Sequence, residues 1–252
     1  MLDCVPRSLH RPCLLRLWRG GRGRESESIP VRATIRSCGR YVSSDLVVDI
    51  VLRGEGVLSG YSIDTTSAYL FAVTGQYPDG TERELHYVVE IDTTSPTSTL
   101  ALHLTTAEVP NAIRVGHLTF AALVSETITA PSIAALTDRP MSVGPVEATV
   151  RTTKVRSRVI VIGLTLSPAG LGGSLIVQGL HNPRLEIAGQ TFRDEGLSRS
   201  RPLGTQVAQA VALVGKDLGR ITPQSGPVQL TAQGVTLQNT GELRLLLPAG
   251  CE

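Results

Sequence analysis

Two histidines are the side chains whose types and spacing favour metal chemistry. Segments 83–91 and 98–104 have the alternating pattern of paired strands, and aligning their apolar faces places His86 opposite His103. Opposed residues on antiparallel strands have Cβ atoms roughly 4.5–5.5 Å apart, so two imidazoles there could share one metal ion. His117, on the next predicted strand, is the candidate third ligand. A solvated strand face also carries unliganded histidines, and the sequence favours that interpretation, so no cofactor is expected.

The densest charge run after the N-terminal segment is "RDEGLSRSRP", residues 193–202. Its guanidinium groups, Arg193, Arg199 and Arg201, are candidates for binding an anion, because arginine presents several donors in a planar fork. A solvated loop is the alternative explanation for the same residues.

Motifs for nucleophilic catalysis and phosphate binding are missing. "GYSID" at 60–64 lacks the second glycine of a nucleophile elbow, and "GLGGS" at 170–174 has neither the spacing nor the Gly-Lys-Ser/Thr ending of a phosphate loop. The sequence therefore predicts a protein that is not an enzyme.

The composition is that of a β protein of moderate charge. Charged residues make up 18% of the chain, aromatic residues 4%, and the formal net charge is +2. The balance gives no signal for nucleic-acid binding outside the Arg-rich residues 1–24. Only Lys154 and Lys216 are lysines among 24 basic residues, which is typical of a GC-rich genome.

Short alternating segments separated by Gly, Pro, Asp and Asn predict an all-β, antiparallel β-sandwich architecture with at most one or two short helices. Segments 67–75, 83–91 and 98–104 are expected to form a meander over 67–104. Both registers bury the same side chains, Leu85, Tyr87, Val89 and Ile91. The predicted pairs are Tyr69 with Ile91, Val73 with Tyr87, Tyr87 with Leu102, and Val89 with Leu100.

Two further elements are predicted near the C-terminus. A hairpin joins 235–238 to 242–248, with Val235 opposite Leu245. A short helix is expected within 205–219, where valine and leucine repeat at helical spacing.

The chain is expected to divide into two sandwich-like domains, 29–140 and 141–252, because "TDRPMSVGP" near residue 140 is typical of a linker. Residues 1–28 differ in composition and predict a disordered or untranslated basic extension. A transit peptide and an arm that binds nucleic acid or an acidic partner are the alternatives.

The longest uncharged run lies between Arg158 and His181. It is long enough for a membrane helix, but its centre, "SPAGLGG", contains one proline and three glycines. We expect a hairpin buried on both faces rather than a transmembrane helix. The loop is expected to expose Leu171 as a contact point for a partner.

Neither the cysteines nor any targeting signal identifies the cellular compartment of the protein. Two cysteines fall in the basic extension, and Cys38 and Cys251 are expected to be independent thiols, with a bridge between them as the alternative. No usable secretory signal is present, so the chain is expected in the cytoplasm or within a particle or envelope assembly.

Three functional hypotheses follow. The first is a non-enzymatic structural component of a larger complex, of virion or bacterial cell-envelope type, whose partners are other protein subunits. The second is a glycan- or small-ligand-binding β-sandwich module. The third is a metal-dependent enzyme that uses His86 and His103.

Overall fold

A computed structural model of the protein describes residues 30–40, 45–90, 98–156, 159–168, 170–171, 173–215 and 221–251. The basic extension 1–28 lies outside these residues. The strands are β1 (Val31–Arg40), β2 (Asp45–Gly54), β3 (Ser62–Gln76), β4 (Glu82–Glu84), β5 (His86–Glu90), β6 (Thr99–Thr105), β7 (Ala112–Ala130), β8 (Pro140–Val143), β9 (Val146–Arg156), β10 (Val159–Ser167), β11 (Leu175–His181), β12 (Arg184–Ile187), β13 (Gln190–Asp194), β14 (Arg199–Leu203), β15 (Gln206–Val214), β16 (Val228–Asn239) and β17 (Leu243–Leu246). Single turns of 3₁₀ helix span Gly56–Leu58 and Ala134–Leu136.

The strands form two antiparallel sheets. The smaller sheet has the order β1-β2-β6-β5, and the larger follows the path β4-β3-β7-β16-β12-β13-β15-β10-β9-β8. Strands β11, β14 and β17 branch from that path, pairing with β16, β15 and β7 respectively. The predicted all-β, antiparallel class is confirmed, and the arrangement is sandwich-like.

The smaller sheet buries one face against the core, because apolar residues alternate along its strands. Along β2 the buried residues are every second one, Leu46, Val48, Ile50 and Leu52. The period of two is the side-chain repeat of a strand with one face toward a core. The phenolic hydroxyl of Tyr87 on β5 donates to the Leu70 carbonyl on β3 at 2.6 Å, which ties the smaller sheet to the larger one.

The division near residue 140 stays a prediction. Strands β7 and β16, from the two predicted halves, pair over most of their lengths. Buried side chains from both halves also belong to one hydrophobic cluster.

Of the predicted meander, the pairing of 83–91 with 98–104 is found through β5 and β6, but its register is wrong, and β3 does not pair with β5. Strand β3 pairs with β7 and, within segment 83–91, only with residues of the short β4, where Thr74 lies opposite Glu84. Strand β5 belongs to the smaller sheet. There Tyr87 lies opposite Leu104, two residues from the predicted partner. A shift of two keeps every side chain on its predicted face, so the apolar pattern could not exclude it.

The C-terminal hairpin is also wrong. Strands β16 and β17 do not pair with each other; both pair with β7, one after the other along the same edge. Asn239 lies at the break between them and is fully buried. Its side-chain oxygen accepts from the Leu118 amide, and its side-chain nitrogen donates to the Gly241 carbonyl, so the interrupted ladder keeps its hydrogen bonds.

The predicted helix within 205–219 is a strand, β15, over its described part, and residues 216–220 lie outside the description. The buried positions of β15 alternate as Val207, Gln209, Val211 and Leu213. Gln209 is a polar residue at a buried position, so it interrupts the alternation of apolar and polar residues expected for a strand. The remaining valines and leucine have a spacing that also fits a helix.

The hairpin predicted within the long uncharged run is wrong as well. Strand β10 pairs with β9 and β15, whereas β11 pairs with β16. Alternate residues of β10 are half-buried, so the expected burial on both faces is not found. Among the described residues, no helix has the length and apolar character needed to cross a bilayer.

Cys38 and Cys251 form a disulfide, so the expectation of independent thiols is wrong. The bond joins β1 to the segment after β17, across a sequence separation of 213 residues. A crosslink that closes so long a loop removes many conformations from the unfolded chain.

Removing this bond should destabilise the fold. We expect Cys38→Ser to lower the free energy of unfolding by roughly 2–4 kcal/mol, as measured by urea unfolding without reductant. Dithiothreitol should shift wild-type unfolding by a similar amount and leave the variant unchanged. Equal unfolding of oxidised and reduced wild-type protein would contradict this expectation.

The turn between β12 and β13 carries local strain that a substitution should relieve. Its two central residues, Ala188 and Gly189, have φ values of +48° and +77°, as a tight hairpin turn requires. Alanine disfavours this region by about 1–2 kcal/mol, whereas asparagine tolerates it. Ala188→Asn should therefore raise the free energy of unfolding by about 1 kcal/mol.

Ala188→Val is the matched control, because a β-branched residue is least tolerated at positive φ. Its unfolding midpoint should fall below that of the wild type. If the Asn and Val variants unfold at the same urea concentration, the turn does not hold this conformation.

Candidate functional site

The structure does not bring the three candidate metal ligands together. His86 lies opposite Thr105, and His103 lies opposite Val88, so the predicted opposition of the two histidines is wrong. The His103 Nε2 atom instead contacts the Glu90 carboxylate at 3.0 Å.

His117 belongs to the other sheet, on β7, where its Nδ1 atom lies 3.2 Å from the Asn239 carbonyl. No group of three or more His, Cys, Asp or Glu side chains in the described ranges is placed to hold a metal ion.

The three candidate arginines separate into different surroundings. Asp194 accepts from the amides of residues 196–198 and closes the loop between β13 and β14. Arg193 precedes this loop on β13, and the Arg199 guanidinium donates to loop carbonyls. Arg201 lies further along β14 and lines a cleft.

Leu171 is only 3% exposed and packs in the core, so its predicted exposure is wrong. Pro168 and Leu175, at the two ends of the same loop, line the cleft that also contains Arg201.

This β11–β14 cleft opens where two strands lie at the edge of the larger sheet. Strand β11 pairs only with β16, and β14 only with β15, within the described chain. The amide of Leu180 on β11 donates to the side-chain oxygen of Gln209 on β15 at 2.9 Å. That side chain replaces a strand partner for β11, so β11 and β14 stay unpaired with each other.

The cleft has a cavity volume of about 330 Å³. Its lining is mostly apolar, with a few polar side chains, and comprises Pro168, Leu175, Ile176, Val177, Gln178, Ser200, Arg201, Pro202, Gly204, Thr205, Gln206 and Val207. Leu175, Val177 and Val207 are buried, whereas Ile176 is 45% exposed. Leu203, beside the lining residues of β14, is 50% exposed. A concave, largely apolar site with a few polar groups is the usual form of a binding pocket.

The polar groups of the cleft differ in how they are held. Gln206 donates to the Ser167 hydroxyl at 2.8 Å, and Gln178 donates to the Gln238 side chain at 2.6 Å. The Arg201 guanidinium has no hydrogen-bond or ion-pair partner in the described part of the chain. The cleft therefore presents one uncompensated positive charge at an apolar cavity.

A buried ion-pair candidate, which sequence reasoning missed, lies elsewhere in the larger sheet. The His181 Nε2 atom is 3.5 Å from the Asp64 carboxylate, and the two residues are 8% and 2% exposed. Asp64 also accepts from the amide and hydroxyl of Thr66. No local motif signals this pair, because its members come from β3 and β11.

Burial lowers the pKa of His181 below its ordinary value of 6.5, and the nearby Asp64 carboxylate acts in the opposite direction. Asn182 Nδ2 also lies 3.1 Å from His181 Nε2 and can donate to a neutral ring. The arrangement is that of a neutral buried histidine rather than a charged one.

Comparison with known proteins finds no significant match to a family profile, a curated protein or a solved structure. The fold defines the class, an antiparallel all-β protein with a sandwich-like arrangement.

The lowered pKa of His181 makes stability depend on pH. Between that pKa and 6.5 the unfolded chain binds a proton that the native chain does not, so the free energy of unfolding falls as pH decreases. The slope from this residue is at most about 1.4 kcal/mol per pH unit. Urea unfolding between pH 7.5 and pH 5 should show that slope in wild type and lose it in His181→Gln.

His86→Gln serves as the control, because the His86 side chain is exposed on β5. It should keep the wild-type slope. An unchanged slope in His181→Gln would show that His181 is not the group responsible.

Proposed function

We propose that this chain is a non-enzymatic assembly component that holds a segment of a partner protein in the β11–β14 cleft. The observation that carries the proposal is a largely apolar cavity, about 330 Å³ in volume, with exposed Ile176 on its lining. Protein interfaces gain most of their affinity from a few bulky anchors that fill such pockets.

Charge supports an acidic partner segment. Arg201 lines the cavity without a carboxylate partner in the described chain. Arg199, on the same strand, is bonded only to carbonyl oxygens, those of Gly196 and Ser198. A bulky apolar residue flanked by Asp or Glu would complement both the cavity and the two positive charges.

The edge of β14 favours insertion of a side chain over addition of a strand. Pro202 has no amide hydrogen to donate, and Arg199 and Arg201 place charges along the edge. Proline and charged residues are the usual means by which edge strands avoid pairing with other chains.

The disulfide supports an assembly outside the reducing cytoplasm. Cys38–Cys251 would persist in an oxidising setting such as the bacterial periplasm or a virion surface. This agrees with the virion or cell-envelope type of complex.

A glycan- or small-ligand-binding module is the alternative, and it would use the same cleft. The hypothesis of a metal-dependent enzyme required His86 and His103 to lie opposite each other, and they do not.

Selection of random displayed peptides on the full, oxidised chain tests the proposal. We expect enriched peptides to share a bulky apolar residue beside Asp or Glu. Thr205→Trp, which places a large ring at the exposed turn lining the cavity, should weaken them about tenfold or more. Arg201→Glu should also weaken them, by reversing the charge.

Arg139→Glu is the matched charge reversal, at an exposed residue that does not line the cleft. It should leave binding unchanged. The proposal fails if no peptide consensus emerges, or if the selected peptides bind Thr205→Trp as tightly as wild type.

A further inference from the structure

A second cavity, separate from the β11–β14 cleft, lies beside the β12–β13 hairpin. Its volume is about 300 Å³. It is lined by polar and charged side chains with one proline, Asn182, Pro183, Arg184, Arg193, Asp194 and Gln233. Nothing in the proposed partner capture uses these residues.

Two of the lining residues are arginines held directly opposite one another. Arg184 on β12 pairs in register with Arg193 on β13. Like charges at directly opposed positions repel, so the arrangement is unfavourable unless something of opposite charge lies between or beside them.

Neither guanidinium is well compensated within the described chain. The Arg184 Nε atom is buried and has no hydrogen-bond partner. Its nearest carboxylate oxygen, on Glu186, is 3.8 Å away, which is beyond hydrogen-bond distance. The Arg193 guanidinium has no hydrogen-bond or ion-pair partner in the described ranges.

The Asp194 carboxylate, which lines the cavity, is hydrogen-bonded to backbone amides. The Asp194 Oδ1 atom accepts from the amides of Gly196, Leu197 and Ser198 at 3.0–3.3 Å. Its charge is therefore shared with the loop that follows β13, which reduces its ability to neutralise the arginines.

An amide group completes the set of donors. A bulge in β16 sets Gln233 at the cavity, where its Oε1 atom accepts from Asn182 Nδ2 at 3.2 Å. That bond engages the oxygen of the Gln233 amide and leaves its Nε2 group to donate. The cavity thus offers two guanidinium groups and one amide nitrogen as donors.

We propose that this arginine cavity binds a tetrahedral oxyanion, phosphate or sulfate, either free or as a group on a larger molecule. A guanidinium fork donates to two oxygens of such an anion at once, and a bound anion would pair with both arginines. It would also screen the repulsion between Arg184 and Arg193.

Titration calorimetry on the full, oxidised chain tests this, with inorganic phosphate, sulfate and phenyl phosphate as separate probes at constant ionic strength set by chloride. We expect saturable binding of phosphate or sulfate. Tighter binding of phenyl phosphate than of inorganic phosphate would identify an esterified group as the ligand, and the reverse order a free anion.

Arg184→Gln and Arg193→Gln should each weaken binding by about tenfold or more, since each removes a charge-assisted hydrogen bond. Arg184→Lys should also weaken it, because lysine keeps the charge but lacks the fork. Arg139→Gln removes the same charge outside the cavity and should leave affinity within about twofold.

Thermal unfolding without phosphate checks that the variants are intact. Arg193→Gln, at an exposed position, should unfold no earlier than wild type, because it relieves a like-charge contact. The proposal is overturned if no probe binds saturably above the chloride background, or if both cavity variants bind as wild type does. Peptide capture at the β11–β14 cleft would be unaffected by either result.

Discussion

The pairing of β7 on both of its edges is the interaction on which the rest of the structure depends. β3 lies along one edge, and β16 followed by β17 lies along the other. A strand paired on both sides has its backbone donors and acceptors satisfied within the sheet, which is the condition for burying it. Through β16 this strand supports β11 and β12, and so the walls of both candidate sites.

At three places where strand pairing is interrupted, a polar side chain hydrogen-bonds to the backbone. Asn239 bonds the backbone at the break between β16 and β17, and Gln209 serves the free edge of β11. Asp194 does the same for the loop after β13. A buried amide without a partner costs about 1–3 kcal/mol, so these residues stabilise irregular places that a continuous ladder would not need.

Both candidate sites occupy the region where the larger sheet divides. β11 and β12 lie end to end along β16, and β13 and β14 lie end to end along β15. β12 and β13 close the gap by pairing, whereas β11 and β14 leave it open. The cleft therefore lies beside the unpaired strands β11 and β14, and the arginine cavity lies beside the paired strands β12 and β13.

The sequence by itself determined that the chain is an antiparallel all-β protein and, for a few segments, which side chains face the core. Period-two alternation placed Leu85, Tyr87 and Val89 on the inner side, and the structure keeps them there. The sequence could not determine which residues pair across neighbouring strands, because a shift of two residues buries the same side chains and leaves the apolar pattern unchanged. That shift separated His86 from His103 and removed the metal hypothesis. Only the tertiary structure decided the disulfide, the Asp64–His181 pair and the opposed arginines, because each joins residues whose proximity depends on long-range strand pairing rather than on local pattern.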